Sequence, residues 1–155
     1  MVSGLIDKKI LYIDMDNVLV NFQSGIEKIT QKEQLEFQDR LDEVPDIFSK
    51  MEPVDGAIDA FNELSKIFDT YILSTAPWEN PSAWSDKLLW VKKYIPGVAK
   101  KKLILTHNKN LNNGDFLVDD RTANGARDFS GEHIHFLSDK FPDWNSVLTY
   151  LRKKS

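Results

Sequence analysis

Cysteine is absent from the 155 residues. That excludes disulfides, thiolate metal sites and a cysteine nucleophile, and it fits a reducing compartment. No apolar stretch approaches the ~20 residues that a membrane span needs. The opening residues Met1, Val2, Ser3 and Gly4 have no signal-peptide character, so the cytoplasm is the expected location, with no membrane partner. Positive charge is also short: 20 Lys and Arg stand against 24 Asp and Glu, a net charge of −4. A nucleic acid polymer is therefore not the expected ligand, since that binding needs clustered cations. No G-x-x-x-x-G-K-[S/T] loop is present, which argues against a P-loop nucleotide kinase. Repeats and low-complexity segments are missing too. With 41% hydrophobic and 28% charged residues, the composition is that of one globular domain large enough for a core.

Short unbroken apolar runs recur at 10–13, 71–73, 103–105, 116–118 and 134–136. Bounded by polar residues, they read as buried parallel strands. Helical spacing lies between them: Ala57, Phe61, Leu64 and Phe68, then Trp84, Leu88, Val91 and Ile95, with Asn80 and Pro81 as N-cap and first helical residue. Trp144, Val147, Leu148 and Leu151, opened by Pro142 and Asp143, make one face of a C-terminal helix. Strands alternating with helices imply an α/β fold, a Rossmann-like parallel sheet of about five strands with helices on both faces and right-handed crossovers. Residues 21–51 break the alternation. Phe22, Ile26 and Ile29 keep helical spacing, a charged run follows over 31–43, and Pro45, Ile47, Phe48 and Met51 close the stretch without a strand. This segment reads as a small helical cap (21–51) inserted into an α/β core (1–20 and 52–155); a long crossover connection is the alternative.

Ligands of open α/β sheets bind outside the carboxyl ends of the strands. There this chain places Asp14 and Asp16 after the first strand, and Ser74 and Thr75 after the second. Lys109 follows the third, and Asp119, Asp120 and Arg121 follow the fourth. Two acids two residues apart repel unless a cation or proton lies between them. Acids, hydroxyls and an ammonium at one edge suit hydrolysis of a phosphate monoester. A cation lowers the repulsion between an attacking carboxylate and the phosphate. Hydroxyl and lysine hold its oxygens, one Asp attacks phosphorus, and the second moves the proton.

On these residues the chain resembles the haloacid dehalogenase superfamily of phosphohydrolases, and within it the 5'(3')-deoxyribonucleotidase family. The superfamily pattern matches at Asp14-Met15-Asp16, Ser74-Thr75, Lys109 and Asp119-Asp120. The narrower family matches at 14–19 with Phe22, at Glu52-Pro53-Val54-Asp55-Gly56-Ala57, at Lys87 to Val91 and at Ile104 to Lys109. The resemblance covers most of 8–121. It implies Asp14 as nucleophile and Asp16 as acid/base, with Ser74, Thr75 and Lys109 binding phosphate. Mg²⁺ would sit on Asp14, Asp120 and the backbone carbonyl of Asp16, with Asp119 behind them. It departs from the family in a shorter cap without tryptophan, and in Ala76-Pro77 where a proline follows the second motif directly.

Phe22, Phe48 and Trp78 are the candidates for enclosing a substrate. His107 reads as a polar strand-end residue, and His133 and His135 are expected on alternate faces of the last strand, outside any shared site. Arg121 is read as pairing with a cap carboxylate, with the phosphate or within a structural ion pair. The leading function is a Mg²⁺-dependent phosphatase of (deoxy)nucleoside monophosphates, with the small phosphate ester as partner and room for a homodimer. The alternatives are a phosphatase of another small metabolite and a non-catalytic nucleotide-binding protein of the same fold.

Overall fold

The computed structural model describes residues 7–155; the reading of Met1 to Gly4 lies outside the described residues. In chain order, β1 (Ile10–Ile13) is followed by β2 (Val20–Asn21), α1 (Phe22–Ile26), α2 (Gln31–Glu36), β3 (Glu52–Pro53), α3 (Ala57–Ile67) and β4 (Asp69–Ser74). Then come α4 (Pro81–Tyr94), β5 (Leu103–Leu105), β6 (Phe116–Asp119), β7 (Glu132–His135) and α5 (Trp144–Arg152). The main sheet is parallel, ordered β5-β4-β1-β6-β7. In its central strand Leu11 and Ile13 are fully buried, as in a strand covered on both faces. The last strand begins two residues earlier than expected. Glu132 N–H pairs with the Asp115 carbonyl, while Phe136 has left the strand to pack against Trp144 at 5.3 Å.

The two faces of the sheet are covered unequally. Leu11, Ile13, Ile72, Val118 and Ile134 share one core with buried residues of α3, α4 and α5. The opposite face holds Tyr12, Leu73 and Leu117, covered by Ala126 of the 3₁₀ turn Ala126–Asp128 and by Phe129. Burying a side chain such as Phe61 or Leu64 of α3 contributes roughly 1.5–3 kcal/mol, so the helical face carries most of the packing energy. Among the described residues no helix is long and apolar enough to cross a membrane.

Between β2 and β3, which pair antiparallel, the chain runs through α1, α2 and the 3₁₀ turns Leu41–Glu43 and Ile47–Lys50. α2 starts on a capping box between Thr30 and Glu33. Gly25 lets α1 lie close to the end of this segment, since a Cβ there would meet Met51 Cγ at 2.7 Å. Pro81 opens α4 as expected, but Asn80 does not cap it with its side chain. Its Nδ2 instead donates to the carbonyls of Asp42 (2.8 Å) and Val44 (3.0 Å), and so ties the inserted segment to the sheet domain. Trp90 Nε1 does the same to the Met51 carbonyl at 3.1 Å.

Trp144 anchors the loop that follows β1: its buried Nε1 donates to the Val18 carbonyl at 2.7 Å. Trp144→Phe leaves that carbonyl without its donor, a loss of about 1–3 kcal/mol. The expected result is a lower urea midpoint at unchanged m value, measured by far-UV circular dichroism.

Candidate active site

The turn after β1 is built around one acceptor. The Met15 carbonyl receives the N–H groups of Val18, Leu19 and Val20, which folds the chain back on itself within one turn. The geometry requires a positive φ at Asn17 (+64°), a conformation that Asn tolerates better than most residues. Asp14 is thereby held at the end of β1, buried, with its N–H bonded to the Val118 carbonyl of β6. Asp16 lies beside it, partly exposed.

Two lysines answer these acids. Lys109, in the 3₁₀ turn Lys109–Leu111, places Nζ 2.6 Å from Asp119 Oδ2 and 3.1 Å from Asp14 Oδ1. Lys87, on α4, is fully buried and donates to Asp16 Oδ1 (3.0 Å) and Ser74 Oγ (2.8 Å). Its ammonium also sits 4.7 Å from the centre of the Phe48 ring. Burial drives the Asp14 carboxyl well above its usual range, against the pull of Lys109. Burial also works to lower Lys109, but Asp14 and Asp119 outweigh it and leave the ammonium raised. Asp120 is raised by burial and then by Asp119.

Carboxylate oxygens of Asp14, Asp119 and Asp120 all lie within 4.8 Å of one another. Their commitments differ. Asp119 accepts from Lys109 and from the Arg121 N–H at 3.0 Å. Asp120 has one buried oxygen, Oδ1, with no partner, and only a 3.5 Å contact from Asn17 Nδ2 on the other. An orphaned carboxylate oxygen beside a second buried acid is what a hard divalent cation with oxygen ligands would complete. The donor set fits such an ion, and no thiolate competes.

Ser74 is fully buried and only accepts, from Lys87. Thr75, expected beside it on phosphate, commits its hydroxyl hydrogen to the Thr106 carbonyl at 2.7 Å, bracing the ends of β4 and β5. A cleft of about 400 Å³ opens over Asp16, lined by Asn17, Phe22, Asp39, Arg40, Asp42 and Arg121. Of the three aromatic residues expected around a substrate, Phe22 lines it. Phe48 does not: it is buried under Phe22, ring centres 5.8 Å apart, because the turn that carries it packs against α1 and α4. Trp78 does not either; it stands 76% exposed, edge-on to His107 at 5.9 Å.

His133 and His135 require a correction. Residues two apart on a strand share a face, and here their rings stack at 5.4 Å and 8°. Each Nε2 donates to a carbonyl, His133 to Asp119 (3.0 Å) and His135 to Asp120 (2.9 Å), so the pair braces the backbone of the acidic turn. Lys87 was missed as a site residue, although a signal existed. It stands three residues after Trp84 and four before Val91, on the apolar face of α4, where an unpaired ammonium could not stay.

A model of the family described as "5' nucleotidase, deoxy (Pyrimidine), cytosolic type C protein" matches residues 24–142. A Vibrio phage KVP40 protein, provisionally named 5'(3')-deoxyribonucleotidase, is 58% identical over 149 residues, 96% of this chain and 88% of its own. The cytosolic-type 5'(3')-deoxyribonucleotidase of Homo sapiens is 26% identical over 155 residues, 80% of this chain and 77% of its own. In fold, the chain is similar to a haloacid dehalogenase-like hydrolase of Xanthomonas campestris, with TM-score 0.58, 6% identity and 95% and 96% coverage. It is also similar to a provisionally named HAD-hydrolase of Bacillus subtilis bound to magnesium, with TM-score 0.55, 11% identity and 89% and 90% coverage.

Asp120 carries the unpartnered oxygen of the acidic cluster. Its folded pKa is raised, so its charge opposes folding once pH climbs above the unfolded value, and the penalty is complete above the folded one. Asp120→Asn should therefore raise the melting temperature of the metal-free protein at pH 7.5 and abolish any further rise on adding Mg²⁺. Thermal melts in EDTA and in ~10 mM Mg²⁺ measure both effects.

Proposed function

We propose that this chain, which belongs to the 5' nucleotidase, deoxy (Pyrimidine), cytosolic type C family and is a phosphoric monoester hydrolase, removes phosphate from deoxyribonucleoside monophosphates in a Mg²⁺-dependent reaction through an aspartyl-phosphate. The observation that carries this reading is the meeting of Asp14, Asp16, Ser74, Lys109 and Asp120 at one sheet edge, with a buried Asp120 oxygen left unpartnered. The names of the phage and human relatives support the substrate class.

Asp14 attacks phosphorus in line with the leaving oxygen. The Asp14–phosphorus bond forms as the ester P–O bond breaks, and Asp16 gives a proton to the departing alkoxide. Asp16 then takes a proton from water as that water attacks phosphorus, releasing phosphate and restoring Asp14. Ser74 and Lys109 hold the non-bridging oxygens, with Thr75 keeping the strand ends that carry them in register. Asp14, Asp120 and the Asp16 carbonyl would hold Mg²⁺, while Asp119 fixes Lys109. Bound there, the ion would screen the attacking carboxylate from the phosphate charge. Residues 21–51 act as a cap over a core of 1–20 and 52–155, supported by their entry and exit through the β2–β3 pair. A cytoplasmic location fits the cytosolic-type relative.

Initial rates over nucleoside 5'- and 3'-monophosphates, sugar phosphates and amino-acid phosphates, with Mg²⁺ and with EDTA, test the reading. Best turnover of a sugar phosphate, or full activity in chelator, would overturn it. Asp14→Asn, isosteric and expected to fold, should reduce turnover to background, because uncatalysed hydrolysis of such esters is extremely slow, with accelerations up to ~10²¹.

Phe22 should set substrate choice. Stacking on a base contributes about 0.5–1.5 kcal/mol beyond area burial. Phe22→Ala should raise KM for nucleotides roughly 10-fold and spare p-nitrophenyl phosphate, the pattern of lost remote binding. Equal losses on both, with a lower melting temperature, would mark Phe22 as packing alone.

A further inference from the structure

We infer that Lys87 is the positioning residue of this site, holding the Asp16 carboxyl and the Ser74 hydroxyl in the orientations that proton transfer and phosphate binding require. The inference rests on the roles of Asp16 and Ser74 proposed above. Lys87 lies 71 residues from Asp16 and 13 from Ser74, and its ammonium bonds both. An ammonium has three hydrogens and can only donate. One goes to Asp16 Oδ1 and one to Ser74 Oγ, and the remaining side of the group faces the Phe48 ring.

The consequences for its partners are geometric. With Oδ1 held, the Asp16 carboxyl cannot swing about its side-chain torsion, and Oδ2 is the oxygen left to exchange a proton with the leaving group. Ser74 Oγ, since it accepts from Lys87, has its own hydrogen free. Among the described residues that hydrogen has no acceptor, which leaves a phosphate oxygen to receive it. Phe48 seals the ammonium from water, and Phe48 lies in the segment that also carries Phe22. The inserted segment therefore touches the chemistry through Lys87 as well as through the cleft.

The test uses leaving groups. An alkoxide such as a nucleoside oxygen needs a proton as the P–O bond breaks, whereas p-nitrophenolate leaves without one. kcat/KM reports only steps through phosphoryl transfer. Lys87→Met keeps the length and volume of the side chain; removing one partner of a buried ion pair is destabilising, so the folded fraction of the variant is checked by circular dichroism before rates are compared. The cost falls with the water that the remaining carboxylate keeps, and Asp16 has 21% side-chain exposure. In the full-length Mg²⁺-loaded enzyme, Lys87→Met should lower kcat/KM for a deoxyribonucleoside monophosphate by ~10²-fold and for p-nitrophenyl phosphate by no more than a few-fold. Asp16→Asn should show the same selectivity, and the double variant should fall below Asp16→Asn alone only by the few-fold loss that Lys87→Met shows on p-nitrophenyl phosphate, which is the share carried through Ser74. If Asp16→Asn is selective and Lys87→Met depresses both esters equally, the inference about Lys87 fails while the acid/base role stands. If Asp16→Asn is itself unselective, the acid/base role fails and the inference with it. Lys87→Gln, which keeps a donor without the charge, serves as the second variant. An intermediate, still selective loss supports positioning by hydrogen bonding, and an unselective loss in both Lys87 variants overturns it.

Discussion

Four carboxylates, those of Asp14, Asp16, Asp119 and Asp120, converge where the buried strands β1 and β6 end, and only two ammonium groups meet them. Two like charges within 4.8 Å repel by roughly 3–4 kcal/mol even at an effective dielectric of 20. Such a cluster is stable only because Lys109 lies between Asp14 and Asp119 and Lys87 holds Asp16. Acidic groups still outnumber the ammonium groups, and burial raises the Asp14 and Asp120 carboxyls. This imbalance is an energetic cost to the fold, and the cluster is compatible with a divalent cation.

The surrounding architecture keeps that cluster in place. Trp144 on α5 secures the loop after β1 through Val18. His133 and His135 hold the acidic turn after β6 by its carbonyls. Asn80 and Trp90 clamp the inserted segment to α4, so that Phe48 closes over Lys87. The large core on the helical face supplies the free energy, and these few polar bonds turn it into geometry. The thinner opposite face carries short turns, and the turn that holds Lys109 packs against the one that covers it.

Legibility differed by kind of residue. That Asp14, Asp16, Lys109 and Asp120 lie at one edge was legible because each falls within a few residues of the end of an apolar run, and strands of one parallel sheet bring their carboxyl ends to one edge. β1 and β5 were readable to the residue because unbroken apolar runs ended at polar ones. The β2–β3 pair was not: two-residue strands leave no periodicity. Phe48 and Trp78 were misplaced for a related reason. Sequence spacing shows that an aromatic residue is apolar, but whether it walls a cleft, fills a core or stands in water depends on the segment packed against it.

The sequence by itself determined the parallel α/β order and the acidic and hydroxylic strand ends, since these follow from local patterns of burial and polarity. Tertiary structure alone decided which carboxylate is committed and which is free. Asp119 and Asp120 are adjacent and chemically identical, yet one is bound by Lys109 and by the Arg121 amide while the other keeps an unpartnered oxygen. It also decided that Lys87, which helical spacing puts on the apolar face of α4, ties the acid to the hydroxyl. Such assignments arise from contacts between residues far apart in the chain, and no local pattern encodes which donor will reach which acceptor once the core has closed.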